Sequence, residues 1–119
     1  MITIVDYGMG NLGSIKNMFK YIGVESKIES DVDKIKNASK ILLPGVGSFD
    51  TAMKKINESG LKEVLNEKAL KEQVPVLGIC LGMQLLTNSS EEGVLDGLGW
   101  IDAKTMSFKS VIDKKYRIP

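Results

Sequence analysis

Three times in this chain a short apolar run ends in a glycine-rich loop, and each loop opens onto residues with helical spacing. The runs are residues 2–5, 40–43 and 74–79. The loops after them are Asp6-Tyr7-Gly8-Met9-Gly10, Pro44-Gly45-Val46-Gly47 and Gly78-Ile79-Cys80-Leu81-Gly82. Apolar runs of this length without alternation read as strands buried on both faces, the kind found in parallel sheets. Parallel strands need long crossover connections, and a helix is the usual crossover. The pattern therefore predicts an α/β fold: a doubly wound, mostly parallel sheet with helices on both faces. Ligands bind outside the carboxyl ends of strands in such sheets. The three glycine loops are thus expected to share one ligand-facing rim.

The connecting segments support this order. Leu12, Ile15, Met18, Phe19 and Ile22 predict a helix over 11–22 that Gly23 stops. Residues 24–28 alternate as a less buried strand would, and residues 31–36 read as a short helix or turn. Phe49, Ala52, Met53 and Ile56 form a helical face ending near Gly60, and Leu61, Val64, Leu65 and Leu70 form another. Pro75 stands near the start of the strand at 74–79, where a missing donor does least harm. After Glu91 the pattern changes: Gly93, Gly97 and Gly99 punctuate it, and residues 100–108 predict a strand of a hairpin or an antiparallel addition. With 119 residues, 43% of them apolar, residues 1–119 are expected to form a single domain with one core.

Composition removes several functional classes. Sixteen basic residues against fifteen acidic ones leave a net charge of +1, and no basic run is long enough to present a nucleic-acid surface. Cys80 is the only cysteine and the chain has no histidine, so neither an internal disulfide nor a metal site is expected, and no cofactor is called for. The amino terminus lacks a basic segment and meets Asp6 early, which is unlike a signal peptide, and no stretch approaches the length of a membrane span. A cytoplasmic location is the expectation.

Cys80 is the chemical focus. A glycine two residues before a nucleophile and another two after it are what a sharp strand-to-helix turn requires, because side chains there would collide with the backbone that lifts the nucleophile out. The competing reading is a small buried core cysteine, but such a residue gains nothing from glycines on both sides. Acyl transfer also needs backbone N–H donors for the developing oxyanion. The amide of Leu81 and one from Gly45-Val46-Gly47 are the candidates. Gln84, four residues after Cys80, shares a helical face with it and carries groups able to hold a polar substrate end, although an exposed glutamine would look the same. Glu91 and Glu92 are adjacent and read as a solvated turn, with no acid–base role. Gly8-Met9-Gly10-Asn11-Leu12-Gly13 matches a dinucleotide-binding fingerprint literally, but Asp6 would set a carboxylate beside the pyrophosphate, which favours a structural or interface loop.

Taken together, Asp6-Tyr7-Gly8-Met9-Gly10-Asn11-Leu12, Leu43-Pro44-Gly45-Val46-Gly47-Ser48-Phe49, Gly78-Ile79-Cys80-Leu81-Gly82-Met83-Gln84-Leu85-Leu86 and Ser90-Glu91-Glu92-Gly93 resemble, in order, the motifs of the class I (triad) glutamine amidotransferases. They are most similar to the glutaminase subunits of imidazole glycerol phosphate synthase in histidine biosynthesis. The resemblance implies hydrolysis of glutamine to glutamate and ammonia through a thioester on Cys80, with ammonia passed to a cyclase (synthase) subunit. It implies that the Val46 and Leu81 amides form the oxyanion hole, that Gly47 and Gln84 bind glutamine, and that the loop around Asn11 lies near the partner interface. It further implies a histidine and a glutamate downstream of Pro119, so that this chain carries only the nucleophile half, is inactive alone, and exposes surfaces prone to self-association. The alternatives are a non-catalytic binding or regulatory short form, an amidotransferase of another pathway such as sugar biosynthesis, and another cysteine hydrolase on a related elbow fold.

Overall fold

The computed structural model describes the backbone of residues 1–111 and the side chains of residues 1–109. The stretch Lys115-Tyr116-Arg117-Ile118-Pro119, after which the resemblance implies a histidine, lies outside the described residues. In chain order the elements are β1 (Ile2–Val5), α1 (Leu12–Tyr21), β2 (Ser26–Glu29), α2 (Val32–Ile35), β3 (Ile41–Leu43), α3 (Phe49–Glu58) and α4 (Leu61–Asn66). A π-helical turn, Glu67–Lys71, continues α4. There follow β4 (Val76–Gly78), α5 (Leu81–Leu85), β5 (Ser89–Ser90), β6 (Lys104–Thr105) and α6 (Phe108–Val111).

Four strands form a parallel sheet in the order β2-β1-β3-β4. Ile4 stands beside Ile28 on one side and Leu42 on the other, and Leu42 stands beside Leu77. Successive strand residues point to opposite faces. Val5, Ile41 and Leu43 accordingly meet Phe49, Ala52, Met53, Ile56, Leu61 and Leu65 from α3 and α4 in the main core. Ile4 and Leu42 belong to the other face; they are also buried, and Phe19 of α1 lines a groove there with Ile2, Leu42 and Leu77. Helices therefore lie on both faces, as the sequence predicts. The coverage is unequal: α1 buries none of its own residues, and Leu77 is 57% exposed.

Element ends follow local chemistry. The Asn11 side chain accepts the Ser14 N–H and caps α1, and Gly23, at φ 78°, turns the chain away after it. Asp31 and Ser48 cap α2 and α3 in the same way. In the π-helical turn Lys68 is buried, and its ammonium donates to the Lys36 carbonyl at 2.8 Å and to Glu72 at 3.0 Å. These bonds satisfy a charge that burial would otherwise penalise heavily.

One expectation is corrected. Residues 100–108 do not form a hairpin strand or an antiparallel addition; only Lys104–Thr105 is extended, and it pairs in parallel with Ser89–Ser90. The reason lies in where the connecting loop is anchored. Gly97 donates to Asn88, Leu98 to Leu85 and Ile101 to Leu86, so the loop returns to the end of α5 before the chain starts its second strand. Both strands then leave the same place in the same direction. A hairpin needs the chain to reverse at the far end of the first strand, and that does not happen here.

Candidate active site

The strand β4 keeps its sheet bonding as far as Ile79, whose amide donates to the Leu43 carbonyl at 3.0 Å. The next residue is already the start of α5, since the Cys80 carbonyl accepts the amides of Met83 and Gln84. Strand and helix thus meet without a linker. Cys80 absorbs the change of direction with φ 54° and ψ −120°, a left-handed conformation costing a side-chain-bearing residue about 1–3 kcal/mol. Its thiol is exposed at the turn. Both flanking glycines are required by space. A Cβ at Gly78 would lie 2.7 Å from the Met83 Cα, and one at Gly82 would overlap the Leu43 carbonyl.

The loop Pro44-Gly45-Val46-Gly47 lies directly against this turn. A Cβ on Gly45 would sit 3.1 Å from both the Gly82 nitrogen and the Leu81 Cβ. Gly47 has φ 108°, which glycine alone adopts readily, and Val46 is 59% exposed. The loop and the Cys80 turn are therefore neighbours, and a hydrogen bond joins them. The Leu81 N–H donates to the Gly45 carbonyl at 3.2 Å. The Val46 N–H belongs to the same trans peptide as that carbonyl and so points the opposite way. In this conformation the Leu81 amide is engaged and the Val46 amide is turned from it; rotating the Gly45–Val46 peptide would free the first and redirect the second.

Gln84 is half buried on α5 and lines a cleft of about 660 Å³ with Met83, Thr87, Ser90, Lys104 and Met106. Cys80 does not line this cleft. The cleft begins one helical turn beyond the thiol. Glu92 also lines it, and Glu91 accepts the Ser107 N–H at 2.8 Å. Asn11 is exposed at the start of α1, at the end of a loop that packs on Pro44-Gly45-Val46-Gly47. A Cβ on Gly10 would lie 3.5 Å from the Gly45 nitrogen, and one on Gly47 would lie 3.2 Å from the Met9 Cε. All three glycine loops thus gather on one rim, and Gly10 of the fingerprint-like motif serves this packing.

The sequence profile of the glutamine amidotransferase class-I family matches residues 3–117. The chain belongs to the class-I glutamine amidotransferases. Among relatives, imidazole glycerol phosphate synthase subunit HisH 2 of Methanococcus maripaludis is 57% identical over 119 residues, covering all of this chain and 58% of that protein. The HisH subunit of Bdellovibrio bacteriovorus is 49% identical over 111 residues, which is 93% of this chain and 54% of that protein. The chain thus spans a little over half the length of these amidotransferase subunits. A crystal structure of a glutamine amidotransferase superposes with a TM-score of 0.73 at 20% identity, over 89% of this chain and 56% of that one. At that identity the likeness shows the amidotransferase fold.

Two residues beside these loops have no role in the sequence reading. Tyr7 is 7% exposed and its hydroxyl donates to the Pro44 carbonyl at 2.5 Å. Burial pushes the phenol up from its ordinary value of 10 to about 12. Asp50, in the first turn of α3, accepts the amides of Val94 and Leu95 at about 2.9–3.0 Å and so anchors the loop that follows Glu92. Both act on backbone groups more than thirty residues away. Among the described residues no cluster of acidic, histidine or cysteine side chains is placed to hold a metal ion, and no helix is long and apolar enough to cross a membrane.

Proposed function

We propose that this chain supplies the nucleophile half of a glutaminase subunit of imidazole glycerol phosphate synthase, serving histidine biosynthesis and delivering ammonia to a cyclase partner. The observation that carries the reading is Cys80: an exposed thiol in a left-handed turn, between glycines that allow no side chain, against a glycine loop able to present amides. The likeness to HisH subunits supports the choice of pathway. In the proposed reaction the Cys80 thiolate attacks the glutamine side-chain carbonyl carbon, and the oxyanion is received by the Leu81 and Val46 N–H groups once the Gly45–Val46 peptide has turned. Collapse of the adduct breaks the C–N bond, and the nitrogen leaves as ammonia after taking a proton. The Cys80 thioester remains. Water then attacks the thioester, releasing glutamate and the thiol. Gly47 and Gln84 hold the substrate, and the exposed loop at Asn11 faces the partner.

The proton transfers need a group this chain lacks, because it contains no histidine. General acid–base assistance is worth about 10² to 10⁴ in rate. The chain by itself is therefore expected to turn over glutamine at least about 100-fold more slowly than a longer HisH subunit under the same conditions. Glutamate release with saturating glutamine and added cyclase subunit measures this; turnover equal to that of a full-length subunit overturns it. The site assignment is checked separately with an electrophilic glutamine analogue. Glutamine should protect Cys80 from labelling, and labelling indifferent to glutamine counts against a glutamine site. The missing histidine equally favours a non-catalytic binding form, which would bind the cyclase subunit without protecting Cys80.

A further inference from the structure

Tyr7 is a buried phenol that the proposed mechanism does not use, and what surrounds it is the oxyanion loop. Its ring belongs to the main core, with Val5 and Leu43. Its hydroxyl donates to the Pro44 carbonyl. A Cβ on Gly45 would lie 2.5 Å from that hydroxyl and 3.1 Å from the Gly82 nitrogen. Gly45 is therefore held between the phenol on one side and the first turn of α5 on the other. The hydroxyl also stays a donor throughout the neutral range, as any phenol does, and burial pushes its pKa further up, to about 12.

We infer that Tyr7 is a positioning residue whose hydroxyl fixes Pro44 and Gly45 so that the Gly45 carbonyl stays on the Leu81 N–H, holding the oxyanion site closed. The inference rests on the reading of Leu81 and Val46 as oxyanion donors. Two hydrogen bonds pin adjacent residues of the loop: Tyr7 to Pro44 at 2.5 Å and Leu81 to Gly45 at 3.2 Å. The second is at the long end of the range for N–H···O bonds. The first holds the Pro44–Gly45 peptide, from which the Gly45–Val46 peptide turns, and the second holds the Gly45 carbonyl itself. Tyr7 thereby acts on the donors through the backbone and touches no reacting atom.

Amide hydrogen exchange followed by NMR on the 119-residue chain tests this. Tyr7→Phe keeps the ring and removes the hydroxyl. Exchange at the Leu81 amide should become about 3- to 10-fold faster, the factor that one neutral hydrogen bond controls. The Ile79 amide, bonded to Leu43, and the Asp6 amide, bonded to Glu29, should stay unchanged as internal references. An unchanged Leu81 amide overturns the inference. Should all three amides accelerate together, site-specific 3-fluorotyrosine at position 7 decides, because it is a stronger donor of nearly the same shape. Slower exchange at Leu81 then supports the latch, and unchanged or faster exchange rejects it. Exchange involves no glutamine, so the latch can fail while glutamine still protects Cys80, and the converse.

Discussion

Cys80 carries the backbone strain of the turn between β4 and α5. Removing its Cβ should relieve the strain at φ 54°, offset in part by the extra freedom glycine has in the unfolded chain. Cys80→Gly is accordingly expected to be about 1 kcal/mol more stable than Cys80→Ala, which keeps the Cβ. Urea titration of the two variants checks this, and equal midpoints at equal slopes would show an unstrained turn. Tyr7 makes a prediction at high pH. Its folded value of about 12 exceeds the ordinary 10, so between these the native state holds a proton that the unfolded chain has lost. Stability from this group is complete below pH 10 and is lost as pH rises toward 12. The loss should reach about 2–3 kcal/mol relative to Tyr7→Phe. Alkaline unfolding curves that run parallel for the two proteins would contradict it.

At the scale of elements, the loop between β5 and β6 is held by side chains from distant helices. Asp50 of α3 takes the Val94 and Leu95 amides, and Asn66 of α4 accepts the Trp100 indole N–H at 2.7 Å. Asp50→Ala should cost about 1–2 kcal/mol, since charged hydrogen bonds exceed neutral ones even at a partly exposed site. Its local signature is faster exchange at the Val94 and Leu95 amides, with the β1 and β3 amides unaffected. The same loop explains why the pairing direction of β6 escaped the sequence reading. Alternation at residues 100–108 announces an extended segment, but pairing direction depends on where the loop is tied, and the ties come from Asn88, Leu85 and Leu86. By contrast the stop at Gly23 is visible directly, because it uses a residue adjacent to the helix it ends.

For the molecule as a whole, the sheet is covered on one face and, among the described residues, only partly covered by α1 on the other. β4 pairs only with β3 among the described strands, and Leu77 at its centre is 57% exposed. An unpaired edge beside a partly covered apolar face is an association hazard. The isolated 119-residue chain is expected to self-associate as its concentration rises. Light scattering showing a constant monomer mass into the high micromolar range would refute this, and Leu77→Lys should shift association to higher concentration.

What the sequence determined by itself was local and periodic. Apolar runs before glycine loops imposed parallel strands, helical spacing placed α1 and α3, and the glycines at 78 and 82 marked Cys80 as an elbow, because two adjoining backbones leave no room for a Cβ there. The tertiary structure decided which backbone groups face each other. That Leu81 donates to Gly45, that Tyr7 reaches Pro44, and that β6 runs parallel to β5 all depend on segments brought together across the chain. Hydrogen-bond pairing between such segments is set by the orientation of whole peptides in the packed fold, and no single residue's identity encodes it.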